Sequence, residues 1–276
     1  MVEDEDQKDK KFFAITRDVS SSYEFRNAME SDGWSVICLK TIIVIPKPRF
    51  EIERIVSNII RGSYDTCIFL SGKAVDILLR NAESSGVRSA LLSKLSSVRT
   101  ICIGPSTKEK LSYYGIDSAI MPETYNSRGL VTYLSRESGG DCRMAKIAIP
   151  RSQLGDNTIA RSLSKQGFHV DQFYLYDVRA NSEVDEGWAY FFSLLRDMKI
   201  NAIGFTSASS VRAFFEITQR ELGMKEMSYI RQMKGLVSIG DLTTAELKKN
   251  APGPFIEAVE HTLNGIMEAS KAFGEK

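Results

Sequence analysis

The sequence lacks any long apolar run, and none approaches the roughly 20 residues that a membrane-spanning helix needs. Its N-terminus lacks the basic and apolar regions of a signal peptide, so we expect a cytoplasmic protein with no membrane partner. It also lacks a bulk charge, because 36 Lys and Arg residues face 35 Asp and Glu residues for a net charge of +1. Nucleic acid is therefore not an expected partner, and an anionic ligand must be held locally.

Paired cysteines are also missing. The four cysteines stand singly, without the spacing of a zinc site or a disulfide framework, and we expect them to be buried thiols in a reducing compartment: Cys38, Cys67, Cys102 and Cys142. The two histidines, His169 and His261, have no partner at a metal-binding spacing, and we expect both to face solvent. No metal site is predicted.

Nucleotide-binding motifs are absent as well. No G-x-G-x-x-G follows the first apolar run, and no G-x-x-x-x-G-K-[ST] occurs. A phosphosugar isomerase or another nucleotide-phosphate enzyme would also use serine- and threonine-rich turns, but these missing motifs argue against that class.

The most informative stretch that is present is LVSIGDLTTAEL, residues 236–247. Val237 and Ile239 suit a buried strand, Gly240 allows a sharp turn, and Thr243 or Thr244 can cap the helix that should follow. A strand, a turn and a helix N-terminus together favour anion binding, because the free N–H groups of the first helical turn carry the positive end of the dipole.

This stretch has a counterpart, ICIGPSTKEKL, at residues 101–111. Gly104 and Gly240 are separated along the chain by the same interval as Thr107 and Thr243. The same interval separates CIFLSGKAVDIL from IGFTSASSVRAF, and a slightly shorter interval separates FFAITR from KIAIPR. Matches that keep their order and fall at strand ends indicate an internal duplication.

Predicted strands and helices alternate along the chain, which indicates an α/β fold with parallel sheets covered on both faces. Ligands of such sheets bind beyond the carboxyl ends of the strands. The residues at those ends are Ser71, Gly104, Arg151, Ser207 and Gly240.

Taken together, these motifs resemble the uroporphyrinogen-III synthase family. The resemblance covers most of the chain: the opening strand to Arg17, FLSGKAV, ICIGPSTKEKL, AIPRSQLGDN, LYDV, GFTSASSVRAFFE and SIGDLTTAEL. It implies two flavodoxin-like, doubly wound parallel-sheet domains joined by a two-stranded hinge. One domain would contain residues 1–41 and 180–276 and the other residues 48–172, with residues 42–47 and 173–179 as hinge strands. Repeat periodicity alone favours two in-line domains.

The resemblance also implies a reaction. The family closes hydroxymethylbilane, a linear tetrapyrrole with eight carboxylates, and inverts its last ring without a cofactor. The terminal hydroxyl leaves as water, and a spiro intermediate then rearranges. Tyr176 aligns with the family's catalytic tyrosine, and a phenol that stays protonated at neutral pH can donate to the leaving hydroxyl. Tyr174 would point the same way and is the reserve candidate.

The family's substrate-binding turns map onto hydroxyls and helix starts around the cleft between the domains. Helix capping is the alternative role for each hydroxyl. The arginines and one lysine would hold carboxylates, with an unassigned surface role as their alternative. The expected substrate-binding residues are Arg17, Ser71, Lys73, Gly104, Ser106, Thr107, Arg151, Ser207, Ser209, Gly240 and Thr243.

Three departures from the family pattern stand out: Leu70 and Val178 where threonines are usual, and Asp241-Leu242 in place of a proline followed by a hydroxyl residue. An Asp241 that faces the cleft would repel substrate carboxylates, so the second turn would contact less substrate. We expect a monomeric enzyme. The alternative is a two-domain protein that binds or senses a small anion without catalysis, which would need the same helix termini but no acid.

Overall fold

The computed structural model describes residues 10–137, 145–154 and 157–273. Cys142 lies outside these ranges. The first half of the chain contains β1 (Lys11–Ile15), α1 (Tyr23–Ser31), β2 (Trp34–Cys38), β3 (Ile42–Pro46), α2 (Arg49–Arg61), β4 (Thr66–Phe69), α3 (Gly72–Ser84), α4 (Arg88–Ser97), β5 (Arg99–Cys102), α5 (Pro105–Tyr113) and α6 (Ser127–Glu137). The second half contains β6 (Lys146–Ser152), α7 (Thr158–Lys165), β7 (His169–Ala180), α8 (Glu186–Arg196), β8 (Ile200–Phe205), α9 (Ala208–Glu221), α10 (Met224–Gln232), β9 (Leu236–Ser238), α11 (Asp241–Asn250), β10 (Phe255–Glu257) and α12 (Leu263–Ser270).

The chain forms two compact units. The first unit contains Met1–Ile43 and Arg179–Lys276, and the second contains Val44–Val178. Each unit has its own five-stranded sheet. The predicted α/β class with parallel sheets is confirmed.

The sheet of the first unit has the strand order β10-β9-β8-β1-β2, and every neighbouring pair is parallel. Apolar clusters cover both of its faces, one around Trp188 and Phe214 and the other around Phe13 and Ile266. Strands buried on both faces have no solvent side, which explains why β1 is almost continuously apolar.

The sheet of the second unit has the strand order β3-β7-β6-β4-β5. Strands β4 to β7 pair in parallel, whereas β3 runs opposite to β7. Two backbone hydrogen bonds show the opposite direction: the Asn181 N–H donates to the Thr41 carbonyl, and the Lys47 N–H donates to the Leu175 carbonyl. Clusters around Leu78 and Ile149 cover the two faces of this sheet.

Outside the named strands, Ile120 forms a single bridge with Ile101. Helix α4 buries only Leu91 and Leu95, too few positions for a clear helical pattern in the sequence. One sequence prediction about a helix start is wrong. Helix α11 begins at Asp241 with Gly240 as its N-cap, so neither Thr243 nor Thr244 caps it. No helix of the described residues is long and apolar enough to cross a bilayer.

Candidate functional site

The carboxyl end of the second unit's sheet brings together a serine and a tyrosine from different elements. Ser71 follows β4 as the N-cap of α3, and its Oγ accepts a hydrogen bond from the Ala74 N–H at 3.2 Å. The same Oγ lies 2.9 Å from the Tyr176 hydroxyl on β7, and either oxygen can donate. Ser71 therefore caps its helix, which is the alternative role that the sequence offers for this hydroxyl. It also contacts Tyr176, the expected catalytic residue.

Tyr176 is largely enclosed, with 6% of its surface exposed. Burial raises the pKa of its phenol, because a phenolate would lose its hydration, while the Ser71 hydrogen bond and the charge of Arg151 act in the opposite direction. The phenol is therefore protonated at neutral pH and can donate a hydrogen bond.

Tyr174 does not share the direction of Tyr176, contrary to expectation. The register between β6 and β7 shifts between Arg151 and Ser152, which pair with Tyr174 and Tyr176 respectively. Leu175 and Tyr176 therefore both join the core cluster of the second unit, and Tyr174 stays outside it. Such an irregularity interrupts the alternation of side chains, so spacing by two residues is not a guide here.

Arg151 is a buried cation, with 3% of its surface exposed. Its Nη1 donates to Gln172 Oε1 at 2.7 Å and to Asn157 Oδ1 at 3.3 Å, and its Nε donates to the Ser152 carbonyl at 3.1 Å. These bonds fix the guanidinium near Tyr176, where its charge favours the ionised phenol. The sequence predicts a carboxylate clamp at this position. The structure also gives Arg151 a network of protein acceptors.

Sequence reasoning missed the other members of this network. Gln172 and Asn157 accept from Arg151, and the Ser152 hydroxyl is buried without a hydrogen bond among the described residues. Gln172 lies on β7, the strand that carries Tyr176. No motif singles out Gln172, because it becomes a partner of Arg151 only through the pairing of β6 with β7, whereas Asn157 is the last residue of AIPRSQLGDN.

The turn after β5 carries three of the expected binding residues. Gly104 is the N-cap of α5, and Ser106 is exposed in the first helical turn. Thr107 is buried, with 3% exposed, and its hydroxyl bonds to no described residue. A carbon added at Gly72 would lie 3.6 Å from the Ser106 carbonyl, so the first turns of α3 and α5 pack closely. Lys73, at the start of α3, is exposed.

The first unit carries the remaining candidates at the carboxyl end of its sheet. Ser207 is the N-cap of α9, where its Oγ accepts from the Ser210 N–H at 3.0 Å and lies 3.0 Å from the Ser209 hydroxyl. Arg17 follows β1 and donates from Nε to Ser21 Oγ at 2.9 Å. Arg17 also lies beside Asp18, a carboxyl whose pKa is lowered on balance: burial acts to raise it, but hydrogen bonds and the charge of Arg17 outweigh burial.

The turn at Gly240 is held by a chain of hydroxyls. Ser238 Oγ lies 2.5 Å from Thr244 Oγ1, which donates to Glu257 Oε2 at 2.5 Å. Thr243 is buried, with 4% exposed, and its hydroxyl makes no hydrogen bond to the described residues. Asp241 is exposed, and its Oδ1 accepts from the Leu242 N–H at 2.7 Å. The first turn of α11 therefore carries its own anion.

The candidates thus form a separate group in each unit. In the second unit, Ser71 contacts Tyr176, and the charge of Arg151 acts on the Tyr176 phenol. In the first unit, Ser207 and Ser209 are in contact. Within the described ranges, no three side chains of the metal-binding types come together. Both histidines are exposed.

Comparison with known proteins identifies the family. The family model described as uroporphyrinogen-III synthase HemD matches residues 24–268 of this chain. The chain belongs to the uroporphyrinogen-III synthase family. A uroporphyrinogen-III synthase from Synechococcus elongatus is 23% identical over 266 residues, which cover 94% of each protein.

Two solved structures support the shared fold. A mutant uroporphyrinogen III synthase from the extremely thermophilic bacterium Thermus thermophilus aligns with a TM-score of 0.65 at 16% identity, covering 95% of this chain and 98% of that chain. The uroporphyrinogen-III synthetase from Helicobacter pylori 26695 aligns with a TM-score of 0.57 at 13% identity, covering 95% and 99%. The family's α/β architecture is therefore shared along nearly the whole chain.

Proposed function

We propose that this protein is a uroporphyrinogen-III synthase, which cyclises hydroxymethylbilane with inversion of the last pyrrole ring and releases water. Family membership favours an enzyme over a small-anion binding protein without catalysis. The observation that carries the proposal is the 2.9 Å contact between the Tyr176 and Ser71 hydroxyls at the carboxyl end of a parallel sheet. Ligands of such sheets bind at that end.

In this proposal Tyr176 assists the departure of the terminal hydroxyl. Ser71 Oγ already accepts the Ala74 N–H, and its own proton can be donated to the Tyr176 oxygen. The phenol proton is then available for the leaving hydroxyl, which departs as water. Because burial raises the pKa of Tyr176, the phenol acts as a proton donor and not as a base near neutral pH.

We propose that helix starts and cations bind the substrate carboxylates. In the second unit the candidates are Ser71, Lys73, Gly104, Ser106, Thr107 and Arg151. In the first unit they are Arg17, Ser207, Ser209, Gly240 and Thr243. Exposed Lys73 and Ser106 are accessible to a carboxylate, and the first turns of α3 and α5 lie side by side.

We also propose that the two units are flavodoxin-like domains that arose by duplication. One domain would contain residues 1–41 and 180–276 and the other residues 48–172, joined by hinge strands at residues 42–47 and 173–179. Support comes from the two five-stranded sheets, from the opposite pairing of β3 with β7, and from the matched N-caps Ser71 and Ser207.

An isomer assay tests the activity. Purified protein is mixed with freshly prepared hydroxymethylbilane without added metal or nucleotide, and the oxidised products are separated as isomers. We expect the type III isomer to form faster than spontaneous closure forms type I. Formation of the type I isomer alone, at the rate of a protein-free control, would contradict the proposed function.

A further inference from the structure

Each unit places an aromatic residue beside the glycine that begins a helix. A carbon added at Gly240 would lie 2.9 Å from Cγ and Nδ1 of His261. A carbon added at Gly104 would lie 3.7 Å from Cβ of Tyr125. The two glycines are the N-caps of α11 and α5. An aromatic side chain therefore lies next to each of the two turns that carry Thr107 and Thr243.

The two aromatic residues hold matching positions in the sequence repeat. The interval from Tyr125 to His261 equals the interval from Gly104 to Gly240. Each precedes the last helix of its half of the repeat, α6 or α12. The arrangement therefore occurs twice, at equivalent places, with different aromatic residues.

Neither ring is needed to complete a packed core. Tyr125 is 45% exposed, and His261 is also exposed. Among the described residues, neither side chain makes a hydrogen bond, an ion pair or a ring contact. An exposed aromatic residue without such partners is available to a ligand.

Each turn also holds a threonine that is largely buried. Thr107 is 3% exposed and Thr243 is 4% exposed, and the hydroxyls of both lack hydrogen bonds to the described residues. Neither hydroxyl is among the fully buried polar atoms that lack a hydrogen bond, so each oxygen still reaches the surface of its turn. A ligand that reaches the turn can therefore form a hydrogen bond with it.

We propose that Tyr125 and His261 contact the substrate, each packing against one pyrrole ring whose acidic side chain reaches the neighbouring helix start. The inference rests on the proposed function and extends its binding site. The flat face of each ring matches a pyrrole, and the phenol O–H or imidazole N–H can donate to a carboxylate.

Kinetics of the purified full-length protein test this contact. Tyr125→Leu and His261→Leu should each raise the KM for hydroxymethylbilane about tenfold, with less than a threefold change in kcat. Tyr125→Phe retains the ring and should restore most of the affinity. His261→Gln retains a hydrogen-bond donor and should restore part of it. Unchanged KM values in both Leu variants would overturn the inference.

Matched controls come from the same chain. Tyr113 is 76% exposed but lies at the last residue of α5, and exposed His169 begins β7, so both are remote from the carboxyl ends of the strands. Tyr113→Leu and His169→Leu should change KM less than twofold. A rise equal to that of the test variants would show a general surface effect and contradict the assignment.

A binding measurement separates this inference from the proposed activity. With uroporphyrin III as an octacarboxylate probe, the imidazole NMR signals of His261 should shift and those of His169 should not. If wild-type protein makes no type III isomer, the proposed function fails, and the NMR titration still tests the contact. If wild-type protein is active but His261 does not shift and KM is unchanged in the variants, the inference alone fails.

Discussion

Ser71 and Ser207 occupy equivalent places in the two units. They share a helix-capping role but differ in the side chains that they contact. Both serines cap a helix that follows a buried strand, and both accept an N–H from three residues onward. Ser71 then contacts the phenol of Tyr176, whereas Ser207 contacts Ser209 within its own helix start. The capping geometry is common to both units, but only Ser71 is joined to a tyrosine from another strand.

The glycine turns differ in a similar way. The turn at Gly104 continues with proline and exposed Ser106, whereas the turn at Gly240 continues with exposed Asp241, whose carboxylate already occupies the Leu242 N–H. The N-terminus of a helix attracts anions, unless an acidic side chain of the same helix already lies there. The second unit is therefore better suited to carboxylates at this turn.

Removing the phenol should have the largest effect. We expect Tyr176→Phe to lower kcat for type III formation by about 100-fold or more, the range for loss of a general acid. The same change should lower the free energy of unfolding by only about 1 kcal/mol, because one hydrogen bond is lost. Tyr174→Phe is the control, since Tyr174 lies outside the core cluster. Equal losses of kcat in the two variants would remove Tyr176 from its role.

Arginine substitutions test the difference between a buried and a half-buried cation. Arg151→Met should lower the free energy of unfolding by about 2–3 kcal/mol, because Gln172 and Asn157 lose a charged donor inside the protein. Arg17→Met should cost less than about 1 kcal/mol, because Arg17 is only half-buried and bonds to one hydroxyl. Urea unfolding of both variants measures this, and a larger loss for Arg17→Met would contradict the assignment of Arg151 as a buried network centre.

The two glycines should differ in their tolerance of a methyl group. Gly240→Ala places a carbon 2.9 Å from the His261 ring and should cost about 1–2 kcal/mol, as other overpacked sites do. Gly104→Ala meets only a 3.7 Å contact and should cost less than about 0.5 kcal/mol. Thermal unfolding measures both changes. In a His261→Ala background the cost at Gly240 should fall, and an undiminished cost would show that the ring is not the obstacle.

The smallest expected difference between the units is in their stability at alkaline pH. Burial raises the pKa values of Tyr64, Tyr114 and Tyr176 in the second unit, together with those of its buried cysteines Cys67 and Cys102. In the first unit, burial raises the pKa values of Tyr229 and Cys38. Between its unfolded pKa and its raised folded pKa, such a group keeps its proton in the folded protein but has lost it in the unfolded chain. Stability is therefore complete below the unfolded pKa values, about 8.5 and 10, and declines as pH rises above them.

The second unit should consequently lose more stability above about pH 9, because more of the described groups with raised pKa values lie in it. Fluorescence of Trp34 and Trp188 reports the first unit, and thiol labelling of Cys67, read on its own peptide, reports the second. If the tryptophan signal changes at a lower pH than the labelling, the ordering is wrong.

The sequence by itself determined the α/β class, the strand-turn-helix units and the family resemblance. These features depend on local periodicity and on residues adjacent in the chain, such as Ser71 and Gly72 at the start of α3. Sequence also determined which hydroxyls lie at helix starts, although it misplaced the first residue of α11, because an N-cap glycine offers no side-chain signal.

Tertiary structure alone decided which of these residues meet. The Ser71–Tyr176 contact joins residues 105 positions apart, and the bond between Arg151 and Gln172 exists because β6 pairs with β7. The register shift between β6 and β7 makes the side chains of Tyr174 and Tyr176 point in different directions, although residues two apart in a regular strand point the same way. Strand order, register and burial arise from packing the whole sheet against its helices, so no local pattern encodes them.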